Sequence, residues 1–246
     1  IDRYLLVRLE ELNRKAGAAY DRFDFHMIYH ALHQFCVVDL SNFYLDVLKD
    51  RLYVENSRSL TRRAAQTVIY DILKDLVKLL APILAFTAQE IWEYLPKEPG
   101  EKEFVLQEAW PQPSGVRADD AFLQKWNRIQ ALRGDVQKAM ENARNDKVIG
   151  APLDASATLY AEGELYAFLK SVEGELASIF MVSQLSVRQG AGGVPAEELE
   201  GLGVQIEKAA GEKCERCWTY SDSVGSNATH QTLCKRCVDV LEESDS

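Results

Sequence analysis

From Phe25 to Tyr53 the apolar residues Ile28, Leu32, Phe35, Leu40, Phe43, Val47 and Tyr53 recur at roughly helical spacing. The next stretch repeats the pattern with Ala64, Val68, Ile72, Leu76 and Leu79. Ser57 or Ser59 can cap its start by accepting a bond from a free backbone N–H. Pro82 breaks the ladder and can open another helix, because an N1 residue needs no N–H partner. That helix would bury Phe86, Ile91, Trp92 and Leu95. The first twenty residues mix charged and apolar positions from the first turn, in a pattern that also looks helical. Four helices with short links are expected to form an antiparallel bundle.

Residues 96–115 hold four prolines and two glycines, the composition of a surface connector. A fifth helix follows, with Phe122, Trp126, Ile129, Leu132, Val136 and Met140 on one stripe. Beyond it the period changes. "DASATLYAEG" and "MVSQLSVRQG" alternate as strands do, with the helical "ELYAFLKSVEGELASIF" between them. "VQIEKAAGEK" predicts a further strand, and "GAGGVPAEELEGLG" a flexible loop. The chain is therefore mainly α. It divides into a helical bundle with its connector (1–117), a small α+β domain (118–210) and a cysteine-bearing tail (211–246).

The tail holds four of the five cysteines in 246 residues. Cys214-x2-Cys217 and Cys234-x2-Cys237 are separated by sixteen residues. Two residues between ligands let both sulfurs of a turn point at one ion. A second turn completes a tetrahedron of thiolates, which suits zinc. All four positions would then be filled by protein, so the expected ion is structural and not catalytic. His230 could replace one sulfur, although the paired spacing favours four thiolates. A redox dithiol would explain one pair but not two. Cys36, among Phe35, Val37 and Val38, reads as a small buried hydrophobe. His26, His30 and His33 share one side of a helix, which fits surface or interhelix hydrogen bonding better than a metal site.

The formal net charge of −10 argues against a nucleic-acid partner until the chain is divided. Residues 1–95 carry 12 basic against 13 acidic residues, and the remainder 16 against 25. Within the near-neutral half, Lys49, Arg51, Arg58, Arg62 and Arg63 bunch around one interhelix turn. They are either a solvated helix end paired with Asp46, Asp50 and Glu55, or a phosphate-binding corner beside a helix N-terminus. Trp218 can pack over the cysteine turn or stack on a base. No stretch approaches about 18 uninterrupted apolar residues, so no membrane span is expected. Without a secretory signal, a reducing compartment and a cytoplasmic location are expected. The chain starts inside a helical pattern without Met and is expected to be part of something larger.

The stretches at 25–53 and 57–96, with "GEKCERCW" and "LCKRC", resemble the C-terminal part of bacterial-type isoleucyl-tRNA synthetases, a branch of the class I enzymes. The first two are similar to the anticodon-binding helical domain shared by the isoleucyl, valyl, leucyl, methionyl and cysteinyl enzymes. The Cys-x-x-Cys-Trp module singles out the isoleucyl branch. One departure is Thr219, where the family pattern has His, so no His ligand or His–phosphate contact exists there. The resemblance implies a monomer that binds isoleucine tRNA at the anticodon region and works with the rest of the same polypeptide. It implies one structural zinc on Cys214, Cys217, Cys234 and Cys237. ATP and magnesium would be used only by a catalytic domain whose His-Ile-Gly-His and Lys-Met-Ser-Lys-Ser signatures are missing from these residues. No catalytic residue is expected here. Candidate tRNA contacts are Lys49, Arg51, Arg58, Arg62 and Arg63 through phosphates, and Arg216 and Trp218 near the loop. The alternative is a zinc-stapled tail that braces the synthetase body without specific tRNA readout.

Overall fold

A computed structural model describes residues 1–244; the last two residues of the tail lie outside it. The chain forms two units. The first comprises residues 1–52 and 58–119, the second 53–57 and 120 onward.

The first unit starts with α1 (Asp2–Asp21) and turns at Phe23, whose φ of 58° is left-handed. Helix α2 (Phe25–Gln34) widens into a π-helical stretch, Phe35–Tyr44, before the short helices α3 (Leu45–Val47) and α4 (Lys49–Tyr53). The widening explains one departure from simple spacing. With i→i+5 bonding, Phe35, Asp39, Phe43 and Tyr44 face inward and Leu40 is left half-buried. Asp39 is buried because Arg8 Nε donates to its Oδ1 at 3.0 Å. Tyr53, expected in the core, is exposed at the end of α4.

Helix α5 (Leu60–Leu80) is capped by Ser59, whose Oγ accepts from the Arg62 amide at 3.4 Å. Its buried stripe runs through Ala65, not Ala64, then Val68, Ile72, Leu76 and Leu79. Asn13 Nδ2 donates to Asp75 at 2.7 Å and Tyr20 Oη to the Leu79 carbonyl at 2.7 Å. These paired positions run in the same order, so α1 and α5 point the same way, as alternating up–down helices require. Pro82 does not open the next helix. Residues 81–84 form a turn, and α6 (Ala85–Tyr94) begins three residues later. That shift turns Phe86 outward while Ala88 and Trp92 stay buried.

The proline-rich connector is tied down along its length. Lys74 pairs with Glu101 at 2.6 Å, Trp92 Nε1 donates to the Lys102 carbonyl at 3.1 Å, and Gln89 Oε1 accepts from the Val105 amide at 2.9 Å. Further on, the Trp110 ring meets Tyr20 edge-on at 5.1 Å, the Ser114 amide donates to Glu10, and Arg3 donates to the Arg117 carbonyl at 2.5 Å. From Trp110 to Arg117 the strap therefore runs back along α1.

In the second unit α7 (Asp120–Asn145) buries Trp126, Ile129, Leu132, Val136 and Met140, the predicted stripe apart from half-buried Phe122. Strand β1 (Ala155–Ala161), helix α8 (Gly163–Phe180) and strand β2 (Gln184–Gln189) form a βαβ unit with β1 and β2 parallel. Strands β3 (Val194–Pro195) and β4 (Gly203–Lys208) complete the sheet, in the order β2-β1-β4-β3. Gly203 is required by packing, because a Cβ there would lie 1.8 Å from the Gly192 carbonyl oxygen. The loop expected to be flexible is anchored. Asp135, buried on α7, accepts the amides of Glu197, Glu198 and Leu199, each at 3.0 Å. A small hairpin, β5 (Glu212–Lys213) and β6 (Tyr220–Ser221), carries the first cysteine pair in its turn. The second pair opens α9 (Lys235–Ser244).

Candidate metal centre and nucleic-acid interface

Two tight turns bring the cysteines together. The Trp218 amide donates to the Cys214 carbonyl at 2.9 Å and the Cys214 amide to the Thr219 carbonyl at 2.9 Å, closing the first turn. In the second, the amides of Cys237 and Val238 donate to the Cys234 carbonyl at 3.0 and 3.1 Å. All four sulfurs lie within 4.8 Å of one another and all four residues are buried. Val54, Val224 and Leu233 pack around them. His230 is outside this group. Among the described residues it is the only such cluster of His, Cys and carboxylate ligand atoms, so His26, His30 and His33 form none with Asp39.

The electrostatics show what the cluster needs. Burial pushes the Cys214 thiol up, but amides of Cys217, Cys234 and Arg216 donate to its sulfur and hold it down at about 6. Burial, and the neighbouring Cys217 charge, push Cys234 and Cys237 up. Four thiolates so close in a buried space would repel one another. A divalent cation at their centre removes that penalty. The donor set, sulfur only and closed on all sides by protein, fits a structural zinc. Secondary contacts match: the Cys234 amide lies 3.3 Å from Cys214 Sγ, Thr219 Oγ1 3.0 Å from Cys217 Sγ, and Arg216 Nη1 3.7 Å from Cys237 Sγ.

Trp218 folds its side chain back on the cysteine turn. It adopts a left-handed φ of 65°, costly for a bulky residue, and its indole Nε1 donates to the Glu215 carbonyl at 3.1 Å. The ring is held in place yet 62% exposed.

The basic residues fare unequally. Arg51 lays its guanidinium on Asp2, at 3.1 and 2.8 Å, and on the Thr61 carbonyl at 2.5 Å. It joins the starts of α1 and α5 rather than reaching solvent. Lys49 pairs with Asp46 at 2.6 Å on the surface. Arg58 and Arg63 are exposed and Arg62 is half-buried in the first turn of α5, which has no acidic residue.

Helical spacing alone missed an aromatic surface. Phe23, 77% exposed, and Phe86, 94% exposed, lie in or beside the α1–α2 and α5–α6 turns, which the Tyr20–Leu79 bond places at one end of the bundle. Phe23 also touches Phe25 edge-on at 6.4 Å. The available signal was Phe86 four residues after Pro82, which breaks the helix.

A family model described as the anticodon-binding domain of tRNA ligase matches residues 2–159. The chain belongs to that family. A second model, a zinc finger found in FPG and IleRS, matches residues 211–240, the segment that holds the cysteine cluster. An isoleucine–tRNA ligase of Moorella thermoacetica is 45% identical over 99% of this chain and 27% of its own length. Those of Syntrophotalea carbinolica and Bacillus mycoides are 48% and 45% identical, over 99% of this chain and 26% of their own lengths. The chain thus spans about a quarter of the length of these relatives. No helix among the described residues is long and apolar enough to cross a membrane.

Proposed function

We propose that this chain is the tRNA-binding C-terminal portion of an isoleucine–tRNA ligase. The observation that carries the reading is the pairing, in one chain, of an anticodon-binding bundle with a zinc-finger tail, aligned end to end with isoleucine–tRNA ligases. Isoleucine tRNA is its partner, together with the rest of the same polypeptide. The attachment of isoleucine, with ATP and magnesium, belongs to that remainder. The protein acts as a monomer in the cytoplasm. Zinc sits on Cys214, Cys217, Cys234 and Cys237 and holds the 211–246 tail in shape.

Arg58, Arg62 and Arg63 position the RNA through phosphates, which carry no base identity, whereas splayed bases stack on exposed rings such as Trp218. Arg51, committed to Asp2 and Thr61, acts on binding only by shaping the corner. Changing Arg62 and Arg63 to Ala weakens cognate and non-cognate tRNA by a similar factor. It also flattens the salt dependence by roughly 0.7 per lost single-stranded phosphate contact in the slope of log affinity against log salt. Filter binding at several salt concentrations measures both, and an unchanged slope would remove those arginines from the interface.

Trp218→Ala costs on the order of 1–3 kcal/mol of tRNA affinity with zinc retained, because a ring this exposed presents surface on which a base stacks. Zinc content measured in the same samples is the control; metal loss that precedes the loss of affinity would point to packing. The second reading, a brace without specific readout, is favoured by the internal commitments of Lys49 and Arg51. It requires equal affinity for matched and mismatched tRNA, which the filter assay reads directly.

A further inference from the structure

Helix α1 ends in a turn closed by two backbone bonds. The amides of Phe23 and Asp24 donate to the Tyr20 and Ala19 carbonyls at 3.0 and 2.9 Å. This pattern places the residue after the helix in the left-handed conformation, where glycine is the usual occupant. Here the residue is Phe23, at φ 58°. A side chain in that conformation costs stability that glycine would not. Burial does not offset the cost, because the ring is 77% exposed. A strained residue that contributes little to its own fold points to a role outside it.

The same end of the bundle carries more uncovered apolar surface. Tyr20 joins its two turns, with Oη donating to the Leu79 carbonyl and the ring meeting Phe25 edge-on at 6.3 Å. Past Leu79, the turn into α6 presents Ile83 and Leu84 about half exposed, and then Phe86 at 94%. Phe25 and Met27, in the first turn of α2, are also half exposed. The three phenylalanines alone present roughly 400 Å², at about 200 Å² per side chain. With the other three residues, the surface reaches the size of patches that mark interaction sites.

Charge separates the possible occupants. Residues 81–89 carry no charged side chain, and Arg22 in the other turn pairs with Asp24 at 2.8 Å. RNA would need cations here. Those lie at the opposite end, where Arg58, Arg62 and Arg63 surround the start of α5. The 21 residues of α5 span about 30 Å between the two ends. Exposed Phe and Met without charge match the centre of a protein interface. The relatives show where such a partner lies: the chain spans 26–27% of their length, so most of such a polypeptide is outside it. We infer that this apolar end docks against an uncharged, apolar face of the remainder of the same polypeptide and leaves the basic end to RNA. The inference rests on the reading of the chain as one portion of a longer ligase, and its test is separable from the tRNA part of that reading.

Hydroxyl-radical footprinting compares the isolated chain with the full-length polypeptide. Phe23, Met27 and Phe86 are oxidised at least about fivefold more slowly in the full-length form, as buried interface residues are. Phe23→Gly relieves the left-handed strain, so the isolated chain melts no lower. Combined with Phe86→Ser in the full-length polypeptide, it restores oxidation of Met27. Equal oxidation in the two forms would overturn the inference, as would a Phe23→Gly chain that melts lower, since the ring then serves its own fold. An isolated chain that sediments as a dimer, and as a monomer in the double variant, makes the occupant a second copy. Loss of stem-loop RNA binding by the double variant at unchanged melting temperature makes this end an RNA surface. Either result overturns the docking. Protected rings in a full-length polypeptide that binds no isoleucine tRNA keep the docking and remove the tRNA reading. Binding of that tRNA with unprotected rings does the reverse.

Discussion

Replacing Cys234 with Ser releases the metal and makes the tail from Gly211 onward sensitive to protease, while the helical bundle resists. The tail has little else to hold it. Among the described residues its regular structure is a pair of two-residue strands and one ten-residue helix, and Val54, Val224 and Leu233 supply the apolar packing around the cysteine cluster. Structural zinc in small modules contributes roughly 10–16 kcal/mol of apparent binding energy, all of it available only to the folded form. The loss of one of four thiolates removes most of that, and the Cys234 amide no longer has a metal-bound Cys214 sulfur to hold. Chelation of the wild-type chain should reproduce the effect. Elemental analysis combined with limited proteolysis reads both consequences. A metal-free tail that stays protected would end the assignment of these ligands.

Trp92→Ala lowers the stability of the first unit by about 3–5 kcal/mol, the usual cost of deleting a large buried aromatic. Trp92 is fully buried with Val77, Ala81, Ala88, Leu95 and Val105. The indole also holds the connector. Its N–H donates to the Lys102 carbonyl, and Lys97 lies 3.6 Å from the ring centroid. The variant should therefore melt at lower temperature and expose the 96–108 segment to protease before global unfolding. Phe86→Ala, six residues earlier on the same helix, should leave stability nearly unchanged because that ring is in solvent. Chemical denaturation of both variants checks the contrast. A small loss for Trp92→Ala would mean that the connector does not depend on this core.

Much of this protein was legible as a string of residues. Two Cys-x-x-Cys pairs with a sixteen-residue gap fix the chemistry of the tail, because the geometry of a short turn depends only on local spacing. The stripes of α5 and α7 were legible for a similar reason: a regular helix repeats its buried face at every turn. The change of period after residue 150 marked the sheet strands and the crossover helix.

Other features depended on partners distant in sequence. The π-helical stretch at Phe35–Tyr44 changes which residues face inward, and Asp39 can be buried only because Arg8, thirty-one positions away, meets it. A glycine-rich loop became ordered because a single carboxylate, Asp135, collects three of its amides. Arg51 reads from its neighbours as a basic corner residue, and only the fold shows that Asp2 and the Thr61 carbonyl claim its guanidinium. Phe86 and Trp218 are the reverse case. Their composition reads as core, yet the turn after Pro82 and the left-handed bend at residue 218 leave their rings exposed. Local spacing determines which elements form and which ligands converge within a turn. Only tertiary structure decides which charges are already paired and which aromatic rings remain exposed, because pairing and burial depend on residues brought together by the fold.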